Sequence, residues 1–198
     1  MTKVCDPAVT PSSLNWCEGD INTPGIRSRL YYIPKKNILA WPTLPKTLAA
    51  GETMGVLATY KGSFTLAADA VWLGMDIIIS RSPVTAESQG SKPSKTYLNQ
   101  ATLVMPLTDK EAAGFSKLAN NSDYVYLIQE TSGSFRVLGN EMYQTETNVG
   151  LALGSAATEE MGTTATVQVT DICHAPFYEG EIETEDGTIN EAPEASGD

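Results

Sequence analysis

"YVYLIQETSGSFRVLGNE", residues 124–141, is the stretch whose reading decides the fold. Two short apolar strands fold back on each other through Ser132-Gly133, a small-residue pair of the kind that turns a hairpin. In the first strand Tyr124, Tyr126 and Ile128 alternate with Val125 and Leu127, so both faces are apolar. Successive strand side chains point to opposite faces, so such a strand needs cover on both sides.

A second stretch reads differently. In "TTATVQVTD", from residue 163, Thr163, Ala165, Val167 and Val169 fall on one face, and Thr164, Thr166, Gln168 and Thr170 on the other. That alternation predicts a strand covered on one side and wet on the other. Before these lie further strand formers, "VLATYKGSFTLAAD" and "VWLGMDIII" over residues 56–79, broken by Gly62 and Gly74, and "TYLNQATLVM", which stops at Pro106. Residues 80–96, polar and without periodicity, read as a long loop. One helix is expected over about residues 108–120. Thr108 would be its N-cap, Glu111 would complete a capping box, and Ala112, Phe115, Leu118 and Ala119 would form a narrow apolar stripe.

Six prolines punctuate residues 1–61, and each fixes φ and removes a ladder donor, so residues 1–55 read as an extended arm. Within it "RLYYI" and "ILAW" flank "PKKN" as a marginal hairpin that needs something to cover it. Trp16, Tyr31, Tyr32 and Trp41 give that arm apolar area to bury, against a neighbour or against the chain's own core. Residues 179–198 carry eight acidic and no basic residues, and with no aromatic side chain they read as a flexible tail. The expected architecture is a mainly β antiparallel sandwich or flattened barrel over residues 56–178, with one flanking α-helix, an N-terminal arm and an acidic C-terminal tail.

The formal charge of −11 is uneven. Residues 1–61 hold seven Lys/Arg against four Asp/Glu, whereas residues 62–178 hold six against twelve. An acidic body repels phosphate, so a DNA-binding role is disfavoured. Cys5, Cys17 and Cys173 follow no metal-ligand spacing and suit a reducing compartment. The N-terminus lacks the apolar core of a signal peptide, and no apolar run approaches the roughly 18 residues that span a bilayer, so no membrane role is expected.

Catalytic patterns are missing from the sequence. The sole histidine, His174, adjoins Cys173, but neighbours on a strand face opposite ways and cannot easily share a site. Phosphate-binding, nucleophile-elbow and zinc signatures do not occur, and "EIETEDGTINEAP" fails as a calcium loop because Pro193 stands where a bidentate Glu is needed. No enzymatic activity, metal or cofactor is expected.

The succession of "VYLIQETSGSFRVLGNE", "GLALGSAATEEMGTTATVQVTD" and "APFYEG" resembles structural proteins of phages and prophages of Bacteroidetes-type gut bacteria, in particular the tail-tube-like class. The likeness covers roughly residues 56–178 and consists of fold-pattern residues. It implies a sandwich protomer that assembles with itself into hexameric rings, with sheets lining a channel and the long loop touching the next ring. On that reading Ser82, Glu87, Gln89, Lys92 and Lys95 lie between subunits, and Thr164, Thr166 and Gln168 face a channel crossed by double-stranded DNA without specific binding. Partners would be further copies and other virion proteins, and the place would be the virion after synthesis in the host cytoplasm. A head decoration or neck adaptor protein is the alternative. A small carbohydrate-binding domain using Trp16, Trp41 or Trp72 is a further one.

Overall fold

The computed structural model describes residues 11–49, 51–156 and 161–190. Cys5, Glu159, Glu160 and the end of the acidic tail from residue 191 lie outside these residues.

Among the described residues fourteen strands and one α-helix follow in chain order: β1 (Arg29–Pro34), β2 (Ile38–Ala40), β3 (Thr59–Tyr60), β4 (Thr65–Leu66), β5 (Leu73–Asp76), β6 (Val84–Gln89), β7 (Thr96–Met105), α1 (Lys110–Ala119), β8 (Tyr124–Gln129), β9 (Phe135–Leu138), β10 (Thr145–Ala152), β11 (Gly162–Asp171), β12 (Phe177–Tyr178), β13 (Ile182–Thr184) and β14 (Gly187–Ile189). Six of them form a sheet in the order β3-β12-β9-β8-β1-β5, and four form a second in the order β10-β11-β7-β6. The fold is mainly β and antiparallel, consistent with a sandwich flanked by one helix.

The hairpin of residues 124–141 is β8 and β9. Gly133, at φ +107°, donates to the Glu130 carbonyl at 2.9 Å and closes the turn, and Glu130 N–H donates to the Ser134 carbonyl at 2.8 Å. The two faces of β8 enter different cores. Tyr124, Tyr126 and Ile128 pack with Leu30, Leu103, Val167 and Val169 between the two sheets. Val125 and Leu127 pack on the other side with Ile33, Tyr60, Phe64, Trp72, Val137 and Tyr178. The six-stranded sheet is therefore the middle layer of three, and its outer face is closed by β2, β4 and the β13-β14 hairpin.

That second core is built on aromatic rings. Phe64 sits at its centre, with ring centroids 5.2 Å from Trp41, 5.3 Å from Trp72 and 5.0 Å from Tyr178. The two tryptophan contacts are edge-on, the geometry that opposes ring edge to ring face. Trp72 is 1% exposed, so it is a core residue and not a stacking platform for sugar.

Four expectations are corrected. First, Arg29–Pro34 is not part of an extended arm: β1 is an interior strand, paired with β8 on one side and with the edge strand β5 on the other, with Leu30 and Ile33 fully buried. Its proline is the last residue of the strand, where the missing donor interrupts no following pair. Consequently β1 and β2 do not form a hairpin, since β2 pairs with β4. Second, the tail folds at least to residue 190: β13 pairs with β14, and Ile182 fills the second core. Trp72 N–H anchors the hairpin by donating to the Glu183 carbonyl at 2.8 Å. Third, residues 80–96 are not a loop throughout, because Val84–Gln89 pairs along β7. Fourth, α1 is capped by Asp109, whose Oδ1 accepts Ala112 N–H at 2.9 Å. Shifting the cap by one residue takes Glu111 out of the reciprocal position. Ala112, Phe115 and Ala119 face the protein, while Leu118 is 60% exposed.

Gly62 and Gly74 have the roles their positions suggested. Gly62 turns with φ +91°, and a Cβ on Gly74 would meet the Arg29 guanidinium at 2.5 Å.

Candidate assembly surface

The outer face of the four-stranded sheet follows from its register. Thr164 stands opposite Val104, Thr166 opposite Thr102 and Gln168 opposite Gln100. On the other flank Asn148 stands opposite Thr166 and Glu146 opposite Gln168. Across β7, Thr85 is beside Gln100 and Glu87 beside Leu98. Directly paired residues share a face, so hydroxyls, amides and two carboxylates cover this side. No strand position on this face carries Lys, Arg or His.

Thr164, Thr166 and Gln168 are half-buried by their neighbours and reach solvent, in line with the alternation that singled them out. Gln89 Nε2 donates to Thr170 Oγ1 at 3.1 Å, and Asn148 Nδ2 donates to Glu146 Oε1 at 3.0 Å. These bonds order the polar layer within the sheet. At one end the layer is closed, because Val104 N–H donates to Ser82 Oγ at 3.1 Å.

The five residues assigned to an inter-subunit loop divide accordingly. Ser82 is buried, and its Oγ also donates to the Ile78 carbonyl at 2.8 Å, so it is a structural clamp rather than a contact residue. Glu87 and Gln89 belong to β6, on the polar face. Lys92 and Lys95 lie exposed in the β6-β7 connection. The structure brings Gln89 together with the Thr164 row and leaves the two lysines at the tip.

A second feature is a groove of about 620 Å³ running along β6 between the two sheets. Ile26, Val84, Ala86, Ile128 and Ala175 give it apolar walls. At its mouth Arg136 is fully engaged: Nε donates to Glu130 Oε1, Nη1 donates to the Ala175 carbonyl at 3.0 Å, and the guanidinium lies 3.9 Å from the Phe177 ring centroid. His174 also borders the groove and meets Tyr97 edge-on at 4.3 Å. Cys173 is half-buried, and burial followed by the nearby Asp171 carboxylate pushes its thiol pKa up, away from the thiolate a nucleophile requires. Among the described residues no three of His, Cys, Asp and Glu are placed to hold a metal ion, and no helix is long and apolar enough to cross a membrane.

The third feature is the chain ahead of Gly25. Residues 11–24 form no strand or helix and are exposed throughout, with Leu14 at 90%, Trp16 at 71% and Ile21 at 91%. The segment is tied down at its root, where Thr131 N–H donates to the Gly25 carbonyl at 3.1 Å and Thr131 Oγ1 to the Pro24 carbonyl at 3.3 Å. Sequence reasoning found the polar face; of the arm it placed over residues 1–55, residues 11–24 are exposed and free of strand and helix, while Arg29–Pro34 is built into the sheet. It missed the groove, whose walls come from segments far apart in the chain. No protein-family model, curated protein or solved structure matches this chain.

Proposed function

We propose that the protein is a self-assembling structural subunit, of the kind that builds a phage tail tube, with the outer face of the four-stranded sheet turned toward a channel. The observation that carries this reading is the chemistry of that face: four strands contribute Thr, Gln, Asn and Glu in register, and none contributes a cation. A surface passing double-stranded DNA gains from such a composition. Phosphates are held by Lys and Arg through counterion release, so a wall of hydroxyls, amides and carboxylates lets a polyanion slide without capture.

Electron microscopy of the purified full-length chain over a wide concentration range tests the proposal. Rings or tubes with the β10-β11-β7-β6 face lining the lumen are expected. A species that stays monomeric throughout, or rings that turn this face outward, would sink it.

The exposed arm supports a second reading, a head decoration or neck adaptor protein whose arm lies across neighbouring subunits. Because β1 is an interior strand of the sheet, the deletion that separates the readings is limited to residues 1–24. A decorator lacking them loses particle binding while folded, and a tube subunit keeps lateral ring contacts.

A further inference from the structure

The two edges of the four-stranded sheet are treated differently. At β10, side chains from the end of α1 and the following turn occupy the outward backbone groups: Asn120 Oδ1 accepts Val149 N–H at 2.7 Å, and Asp123 Oδ1 accepts Thr145 N–H at 2.9 Å. At β6 nothing comparable occurs. Thr102 N–H donates to the Pro83 carbonyl at 3.0 Å, which sets the ladder so that residues 83, 85, 87 and 89 face β7. The N–H and C=O groups of Val84, Ala86 and Ser88 therefore point away from the sheet, and among the described residues they meet no hydrogen-bond partner. An open edge of this kind is a template for another strand.

We propose that residues 12–17 of a second copy add to β6 as an antiparallel or parallel strand, seating Leu14 and Trp16 in the groove beside Val84 and Ile128. This deepens the assembly reading and rests on it. The segment fits in four ways. It is as long as β6, which has 6 residues. It lies in a stretch free of proline between Pro11 and Pro24, so its N–H groups are available to a ladder. Leu14 and Trp16 are two apart, so on a strand they share one face, while Ser13, Asn15 and Cys17 take the other. That face matches apolar walls, and the aromatic side chain supplies the buried area of an interface anchor.

Length and direction point to another copy as the occupant. Residues 11–24 span about 45 Å when extended, at roughly 3.3 Å per residue, enough to reach a neighbour. In its own copy the arm leads to Met54, whose N–H donates to Ser12 Oγ at 3.3 Å beside β3, the edge of the other sheet. An arm of one copy on β6 of the next is a head-to-tail contact, which closes into a ring or propagates as a filament.

Three full-length chains test this: wild type, Trp16→Asp and Ala86→Pro, the last removing a donor at the centre of the open edge. Each is checked for folding by circular dichroism, then for assembly by light scattering and microscopy. A fluorescent peptide of residues 11–24 is titrated into the Trp16→Asp chain and into the Trp16→Asp/Ala86→Pro double variant. Wild-type assembly, its loss in both single variants, and peptide binding weakened at least tenfold by Ala86→Pro are expected. If all three chains assemble alike, or the peptide does not bind, strand addition is overturned while the assembly reading stands. If wild type stays monomeric while Ala86→Pro shifts its Trp16 emission, the arm docks on its own chain, and both readings fall.

Discussion

Asn120 holds Val149 by both backbone groups: its Oδ1 accepts the N–H at 2.7 Å and its Nδ2 donates to the carbonyl at 3.5 Å. A side-chain amide presents the same donor and acceptor as a peptide unit, so Asn120 acts as a one-residue strand laid against the edge of β10. Asn120→Ala frees both groups. The expected outcome is a loss of about 1 kcal/mol in urea unfolding, the net worth of a hydrogen bond, together with faster light-scattering growth on standing. A variant that loses stability without new association would show that Asn120 supports the fold alone and does not guard the edge.

Tyr178 joins the second core to the hairpin that closes it. Its hydroxyl accepts Phe64 N–H at 3.2 Å and donates to the Glu181 carbonyl at 2.8 Å. Tyr178→Phe keeps the ring against Phe64 and removes both bonds, leaving the buried Phe64 N–H unpaired. A loss between about 1 and 3 kcal/mol is expected. Amide exchange should rise at Phe64 and along β13, and an unchanged exchange pattern would mean the hydroxyl is not what seats the hairpin.

The elements that could be read from the sequence are those whose side chains obey one period. β8 and β11 carry their burial in their alternation, because a continuous apolar run and a half-apolar run correspond to two covered faces and one. β6 could not be read that way: Thr85, Glu87 and Gln89 alternate with Ala86 and Ser88, and an edge strand exposed on both faces leaves no apolar signal. β1 was hidden by the prolines around it, although Pro34 only ends the strand. In the tail Ile182 and Ile189 pack on the second core, and composition averaged over twenty residues, eight of them acidic, conceals them. Of the candidate surface, the Thr164 row was legible, since it lies on one strand. The groove was not, since Ile26, Val84 and Ile128 meet only through the topology.

Asp171 ends β11 fully inside the protein. Its Oδ1 accepts Ile172 N–H at 2.6 Å, while Oδ2 has no hydrogen-bond partner among the described residues. Burial raises its pKa above the ordinary carboxylate value, and hydrogen bonds from neighbouring backbone only partly oppose the shift. The folded state therefore binds this proton more tightly than the unfolded chain. The resulting stabilisation is fully present below the unfolded pKa and is lost as pH rises through the raised folded value. Asp171→Asn removes the penalty of burying the charge. The urea midpoint of the variant should exceed that of wild type at pH 7, and the difference should shrink toward acid. A difference independent of pH would show that Asp171 has the same pKa folded and unfolded, so that its burial carries no charge penalty.

The channel reading makes its own demand on Thr164, Thr166 and Gln168. All three point out of the sheet, where a long side chain can extend into water, so Lys at each position should change stability by no more than about 0.5 kcal/mol apiece. The effect on nucleic acid should be large. Three lysines in one row on β11, repeated in every subunit of a ring, turn a wall that does not hold phosphate into one that does. Each phosphate neutralised should steepen the salt dependence of log K by about 0.9. Fluorescence anisotropy with a short duplex at several salt concentrations measures this. Wild type should show no saturable binding, and the triple Lys variant should bind at low salt and release at high salt. Saturable duplex binding by wild type would contradict a non-adhesive wall. A triple variant that assembles yet still ignores DNA would mean that the Thr164 row lies away from any lumen the assembly encloses.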